Sequence, residues 1–214
     1  MKKTTITSFL LWTLALNLKS QSVPLEVVVG NRNAFYQHSV GKNFAGNQQF
    51  GWLNIASVLV HYDKKSDPEN ALSDEIMNQT YFVYRPTKGI ALLGGGFYTD
   101  VTKFRVSAAI QLSLRRKALM MMLAPRIDVV KNGAYELFGF IEYNPKMGNE
   151  GWTGYSRFQF MTNHGKEGHN RSYQQFRLGT GYKANQFGLA VTLDQYGPHP
   201  SSLVNTGLFI RHVF

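Results

Sequence analysis

The feature that most constrains this chain is a repeated alternation of apolar and polar residues over segments of strand length. The clearest segment runs from Phe104 to Arg115. Successive side chains of a β-strand point to opposite faces, so alternation gives one apolar face and one mostly polar face. The apolar face reads Phe104, Val106, Ala108, Ile110, Leu112 and Leu114, and the other reads Arg105, Ser107, Ala109, Gln111, Ser113 and Arg115. Because similar segments recur along the chain, the pattern predicts an all-β fold.

Ten such segments can be placed by working backward from the last residue. They lie at residues 49–63, 79–85, 89–98, 103–115, 118–130, 134–144, 152–162, 171–183, 187–196 and 204–214. Several connections are tight, at 86–88, 116–117 and 184–185, and others are longer, at 64–78, 163–170 and 197–202. Short turns at one end and longer loops at the other are typical of a transmembrane β-barrel.

The stretch from Glu26 to Phe44 also contains short strand-like runs, at Val27 to Val29 and Ala34 to Val40. Two further strands here would make twelve. The alternative is a segment that lies in the periplasm or plugs the lumen. The sequence therefore predicts about ten strands, with eight to twelve possible.

The first twenty residues have the form of a secretory signal. Lys2-Lys3 precede an apolar run from Ile6 to Leu18, and the expected cleavage lies between Ser20 and Gln21. A run of about thirteen residues is short for a membrane-spanning helix. The chain has no cysteine, so it has no disulfides and no site for a thioether-linked lipid anchor. We expect three regions: a signal at 1–20, an N-terminal segment at 21–48 and a barrel at 49–214.

Composition is compatible with membrane insertion through strands. No other apolar run is long enough for a transmembrane helix, and the mean hydropathy is −0.23. A barrel averages to such a value because lipid-facing and interior residues alternate. The 15 Phe, 11 Tyr and 20 Gly fit aromatic girdles and turns. The formal net charge of +10 points, in an exported protein, to anionic lipid or glycolipid rather than nucleic acid.

The last strand carries a recognisable spacing of residues. Asn205, Gly207 and Ile210 precede a terminal aromatic, Phe214. This arrangement resembles the assembly signal of Gram-negative outer-membrane β-barrels, although His212 stands where an apolar or aromatic residue is usual. The resemblance implies an antiparallel, up-and-down transmembrane barrel in the cell outer membrane. It also implies outer-membrane lipid and the barrel-assembly machinery as partners, with anionic glycolipid as a further candidate.

If the apolar faces are turned to lipid, the opposite faces deliver charges of both signs to the interior. The expected lumen-facing charges are Arg105, Arg115, Arg126, Asp128, Glu136, Glu142, Arg157, Arg177, Asp194 and Arg211. Side chains largely fill a small barrel, so ion pairs are a natural packing material there. The alternative is that the same charges line a narrow passive channel for small solutes.

One local group of residues raises the question of catalysis. His169 as a base and Ser172 as a nucleophile lie three residues apart, with Glu167 or a distant acid to orient the base. No nucleophile elbow surrounds Ser172, so the sequence favours a solvated outer loop. No spacing of histidines indicates a metal site, and we expect no cofactor.

These observations together predict an integral outer-membrane β-barrel with an arginine- and carboxylate-lined interior and a non-catalytic structural or interaction role. The alternatives are a narrow passive channel and an outer-membrane lipid-modifying hydrolase.

Overall fold

The computed structural model describes residues 23–62, 73–148 and 150–214, so the expected signal at 1–20 lies outside the described residues. Thirteen strands form one antiparallel sheet. They are β1 (Pro24–Gly30), β2 (Asn33–Asn43), β3 (Phe50–His61), β4 (Glu75–Thr87), β5 (Ile90–Thr99), β6 (Lys103–Arg116), β7 (Leu119–Asp128), β8 (Tyr135–Tyr143), β9 (Lys146–Met147), β10 (Trp152–Gly165), β11 (Gly168–Tyr182), β12 (Asn185–Tyr196) and β13 (Ser201–Val213). Among these residues, no helix is long and apolar enough to span a membrane.

The sheet closes on itself into a barrel. β13 pairs with β1, with Phe209 opposite Val28, and β10 pairs with both β8 and β11. Twelve strands therefore form the wall, and the two-residue β9 lies outside it, paired with the start of β10. Closure satisfies the backbone groups that an open sheet would leave exposed at its edges.

An even number of wall strands brings both ends of the barrel to the same edge. We call this edge the terminal rim and the opposite edge the distal rim. The distal rim includes the connections at 31–32, 100–102, 129–134, 166–167 and 197–200, together with the end of β3 and the start of β4.

The predicted all-β antiparallel barrel is confirmed, at the upper end of the expected strand number. The barrel begins at Pro24 rather than at residue 49, because β1 and β2 belong to the wall. Alternation is hard to read in β2, since Tyr36 and His38 occupy the face on which apolar residues are expected. β4 also differs from the prediction: it begins at Glu75, four residues before the predicted start at residue 79.

The two faces of the wall have opposite character. The outer face exposes large apolar side chains, including Phe82, Ile110, Leu178, Leu208 and Phe214. The inner face buries polar and charged ones, including Glu26, Arg126, Asp128, Arg177 and Arg211. This reverses the arrangement of a water-soluble domain and matches a barrel whose outer face meets hydrocarbon.

Aromatic and aliphatic side chains fill part of the interior. Tyr155 on β10 is 2% exposed, and its ring centroid lies 5.3 Å from that of Phe209 on β13, three strands away. Val28 and Ala190 complete this buried cluster, and Phe35 packs against it. We call these residues the inner plug.

Candidate functional site

Near the distal rim, a group of polar side chains joins opposite sides of the wall. The Arg171 guanidinium on β11 contacts the Glu75 carboxylate on β4. These two strands are six apart in either direction around the ring. Arg171 also donates to Asp194, from Nε at 2.9 Å and from Nη2 at 2.6 Å, and Tyr196 Oη donates to Glu75 Oε1 at 2.8 Å. We call these four residues the rim bridge. Because its two ends lie on opposite strands of the wall, the rim bridge spans the lumen.

A second network crosses the middle of the lumen from β8 to β1. It begins where Arg157 Nη1 donates to Glu142 Oε2 at 3.3 Å, and it ends where Arg177 Nε donates to Glu26 Oε1 at 3.1 Å. Two glutamines link these pairs, with contacts of 2.7 to 3.4 Å. The chain in order is Glu142, Arg157, Gln159, Gln175, Arg177 and Glu26. Arg211 joins it through Glu142, at 3.4 Å.

A third network joins β6, β7 and β8 on the distal side of the interior. Arg126 is 4% exposed and forms ion pairs with Asp128 and Glu136 at 2.5 and 3.2 Å. Arg105 Nη1 lies 3.0 Å from the second Asp128 oxygen, and the Arg126 guanidinium stacks over Phe97 at 3.9 Å. A buried charge is tolerated when it is paired in this way, and removing one partner is costly.

Nine of the ten expected lumen-facing charges lie in these three networks. Arg115 does not. It is exposed at the end of β6, where its Nη2 lies 3.1 Å from Met120 Sδ. By the alternation of β6, Arg115 falls on the inner face, but it lies one residue before the end of the strand, at the terminal rim.

The sequence analysis missed three of the charges that close the lumen, namely Glu26, Glu75 and Arg171. Arg171 is the first residue of the predicted segment 171–183 and shares its face with Tyr173, Gln175 and Arg177, so the alternation of that segment already indicated an inward side chain. Glu75 lay in a predicted loop, where no face can be assigned.

The His169 and Ser172 side chains lie together on the outer face, at the distal rim. His169 Nε2 is 2.8 Å from Ser172 Oγ, and His169 Nδ1 is 2.7 Å from the Gly197 carbonyl oxygen. A carbonyl only accepts, so Nδ1 carries the hydrogen. In a neutral imidazole, Nε2 is then the acceptor for the Ser172 hydroxyl. The imidazole is oriented by Gly197 and not by Glu167.

A β-bulge places these two side chains on one face. The expected loop at 163–170 is instead a hairpin that continues to a turn at 166–167, with a register shift after Asn163. His164 pairs with His169 and Thr162 pairs with Ser172. Residues three apart in a regular strand face opposite sides, so the extra residue on β11 allows His169 and Ser172 to meet.

Other polar groups surround the pair. Thr162 Oγ1 accepts from the Ser172 hydroxyl at 2.8 Å, so Thr162 and His169 Nε2 share the one hydrogen of Ser172. Thr162 Oγ1 also lies 3.0 Å from His164 Nε2. The His164 ring stacks on Tyr135, with centroids 5.3 Å apart. A backbone hydrogen bond holds the β12–β13 connection against the bulge: the Gly197 N–H donates to the Asn170 carbonyl at 2.9 Å. We call Thr162, His164, His169 and Ser172 the hydroxyl–imidazole cluster.

The expected assembly-signal residues divide between the two faces of β13. Asn205 is 5% exposed and faces inward, and Gly207 lies against the backbone of Val29 and Gly30. Ile210 and Phe214 are exposed on the outer face.

A second polar group on the outer face was not predicted. His38 Nε2 lies 3.1 Å from Asn54 Oδ1, and Asn54 Nδ2 donates to Thr80 Oγ1 at 2.8 Å and to Asn78 Oδ1 at 3.2 Å. Tyr36 Oη contacts the other His38 nitrogen at 3.0 Å. These side chains satisfy one another across β2, β3 and β4.

Within the described residues, no group of three or more histidine or acidic side chains is arranged to hold a metal ion.

No family model matches the chain, and no curated protein sequence matches it. Several solved structures match the fold of this chain. The KdgM porin superposes with a TM-score of 0.50 at 12% identity, covering 91% of this chain and 99% of that chain. The NanC porin superposes with a TM-score of 0.54 at 10% identity, covering 91% and 100%. A further KdgM porin structure, in complex with disordered oligogalacturonate, also has a TM-score of 0.50 at 12% identity, covering 91% and 99%. The chain therefore has the closed antiparallel barrel fold of outer-membrane porins.

Proposed function

We propose that this protein is an integral outer-membrane β-barrel with a closed lumen, which acts through its surface rather than as a pore. The observation that carries the proposal is the rim bridge, in which Arg171 and Glu75 join opposite strands of the wall. A structural or interaction role in the outer membrane follows from this arrangement.

Three features support the membrane location. The outer face is apolar, the fold is that of outer-membrane porins, and the sequence has a signal-like start and a terminal motif ending in Phe214. Outer-membrane lipid and the assembly machinery are the partners that such a barrel requires, and the positive net charge adds anionic glycolipid.

Closure is supported at two levels of the barrel. The rim bridge crosses near the distal rim, and the inner plug joins β10 to β13 farther inside. The arginines at both levels are bonded to carboxylates or packed against rings, so few cationic groups remain to attract an anionic solute.

A narrow passive channel is the second candidate. It is favoured by the fold shared with two porins and by the arginines of the lumen, and a KdgM structure was solved with an oligogalacturonate. In this chain, an acidic saccharide would first have to separate arginines from their carboxylates. The geometry therefore favours the closed barrel.

Liposome swelling distinguishes the two. Liposomes that contain the wild-type protein should swell in a pentose solution no faster than empty ones. The triple variant E75A/Y155A/F209A, which breaks the rim bridge and removes both large rings of the inner plug, should swell faster, whereas Leu208→Ala on the outer face should not. Swelling of wild-type liposomes above the empty control would favour the channel instead.

A further inference from the structure

We propose that Ser172 and His169 form a serine hydrolase centre that cleaves ester-linked acyl chains from lipids of the outer leaflet. The inference rests on the outer-membrane location of the proposed function. It also takes the terminal rim, with its short turns and both ends of the barrel, as the periplasmic side. It does not require a closed lumen, so a conducting barrel would contradict the proposed function and leave this inference intact.

The first argument is the geometry of the pair. A serine hydroxyl becomes an effective nucleophile when a neighbouring base accepts its proton and a third group holds that base. Ser172 Oγ lies 2.8 Å from His169 Nε2, and the Gly197 carbonyl holds Nδ1 at 2.7 Å. The carbonyl fixes the tautomer in which Nε2 is free to accept.

The second argument is that the local fold is built around this contact. The bulge in β11 brings both side chains to one face. In the 197–200 connection, the Gly197 N–H donates to the Asn170 carbonyl of the bulge, and the Gly197 carbonyl accepts from His169 Nδ1. Ser172 is 8% exposed, so the hydroxyl is held among its partners rather than solvated freely.

The third argument is the position of the pair relative to lipid. It lies on the outer face at the distal rim, which meets the outer leaflet when the chain ends are periplasmic. Farther along the same face, the Phe158 ring centroid lies 5.9 Å from that of Phe160 and 4.8 Å from that of Phe176. Ser172 and Phe176 are four residues apart, about 13 Å along the strand. An acyl chain lying over these rings would bring its ester bond to the rim.

The chemistry needs no cofactor. Ser172 Oγ attacks the ester carbonyl carbon while its proton passes to His169 Nε2. The Thr162 hydroxyl and the His164 ring are the polar groups closest to the oxyanion that forms. The bond to the lipid alcohol then breaks, and His169 returns the proton to the departing oxygen. Water, with His169 as the base, hydrolyses the acyl-serine and releases a fatty acid.

A fluorophosphonate probe provides the test, because an activated serine displaces fluoride from phosphorus and becomes covalently labelled. The barrel is refolded into vesicles of phospholipid alone or of phospholipid with lipopolysaccharide. Labelling is mapped by mass spectrometry, and free fatty acid is measured in parallel. We expect labelling at Ser172 and release of fatty acid from one or both vesicles, and the vesicle that reacts identifies the lipid.

Variants make the result specific. Ser172→Ala should abolish labelling and release, and His169→Ala should lower release by about 10²- to 10⁴-fold. Ser202→Ala, which removes an exposed hydroxyl at the same rim, should leave both unchanged. A heat-dependent gel shift checks that each variant is folded. Absence of both labelling and release in the folded wild type overturns the inference, as does release that persists in Ser172→Ala.

Discussion

Asn205 illustrates how a single residue holds the seam between the first and last strands. Its Oδ1 accepts from the backbone N–H groups of Arg32 and Asn33, at 2.9 and 3.3 Å, and its Nδ2 donates to Asn33 Oδ1 at 2.8 Å. The side chain thus caps the β1–β2 turn from inside the barrel. The terminal motif predicted a polar residue at this position, but the partners depend on the closure of β13 onto β1.

We expect Asn205→Ala to lower the free energy of unfolding by about 1–3 kcal/mol, because it removes the acceptor of two part-buried backbone N–H groups and a side-chain donor to Asn33. Urea titration in lipid vesicles, followed by tryptophan fluorescence, measures this loss. Thr206→Ala on the outer face should change the value by less than about 0.5 kcal/mol. Equal effects of the two substitutions would contradict the capping role.

Gly207 is required at the same seam for a different reason. A Cβ built on Gly207 would lie 2.0 Å from the Val29 carbonyl oxygen. Gly207→Ala should therefore slow or weaken barrel closure, seen as less folded band in a heat-dependent gel shift. Gly94→Ala is the matched control, because a Cβ there meets nothing within 4 Å. A normal folded fraction for Gly207→Ala would show that β1 and β13 can move apart enough to accept the added methyl group.

At the scale of elements, regular strands were predictable and interrupted ones were not. The segment at 103–115 closely matches β6, because its outer face is apolar throughout. In β2, Tyr36 and His38 lie on the outer face and bond to each other, and His38 also bonds to Asn54 of β3. No local pattern in the sequence shows such contacts. For the same reason, the β10–β11 hairpin was predicted as a loop.

The outer-face polar group makes a prediction for β2 and β3. His38→Phe and Asn54→Val each break the hydrogen bond between the two strands. Double-mutant cycles for hydrogen bonds in membrane proteins average about 0.6 kcal/mol. We therefore expect a coupling of about this size between the two substitutions, measured by urea titration in vesicles. Strict additivity would show that the contact contributes nothing to stability.

The bulge in β11 makes a prediction of its own. Inserting one alanine between Asn163 and His164 should give Asn170 a partner on β10 and restore regular pairing. His169, three residues from Ser172, would then face the opposite side, so fluorophosphonate labelling of Ser172 should be lost while the barrel still folds. Asn170→Ala keeps the extra residue and should retain labelling. Undiminished labelling of the insertion variant would show that the reactivity of Ser172 does not depend on the bulge.

At the scale of the whole molecule, contacts across the lumen depend on the number of strands. Arg171 and Glu75 lie on opposite strands only because the wall has twelve. With ten strands, different side chains would face each other. The alternation of single strands thus predicted the inner face, and the partners of its charges required the closed barrel.

Burial ranks the stability effects of the ion pairs. The side chains of Arg171 and Glu75 are 23% and 28% exposed, whereas those of Arg126 and Asp128 are 3% and 1% exposed. Breaking a buried pair costs about 3–5 kcal/mol, and breaking an exposed one costs about 0–1 kcal/mol. Asp128→Ala should therefore destabilise the barrel far more than Glu75→Ala in urea titrations. The reverse order would contradict the networks described.

Single-channel recording in a planar bilayer tests the closed lumen most directly. The folded wild-type protein should give no current steps above those of the bare bilayer, because side chains from opposite walls meet inside it. The variant E75A/Y155A/F209A, inserted under the same conditions, lacks both the rim bridge and the large rings of the inner plug. It should give steps and so show that the protein has entered the bilayer. Regular current steps from the wild-type protein would contradict a closed barrel.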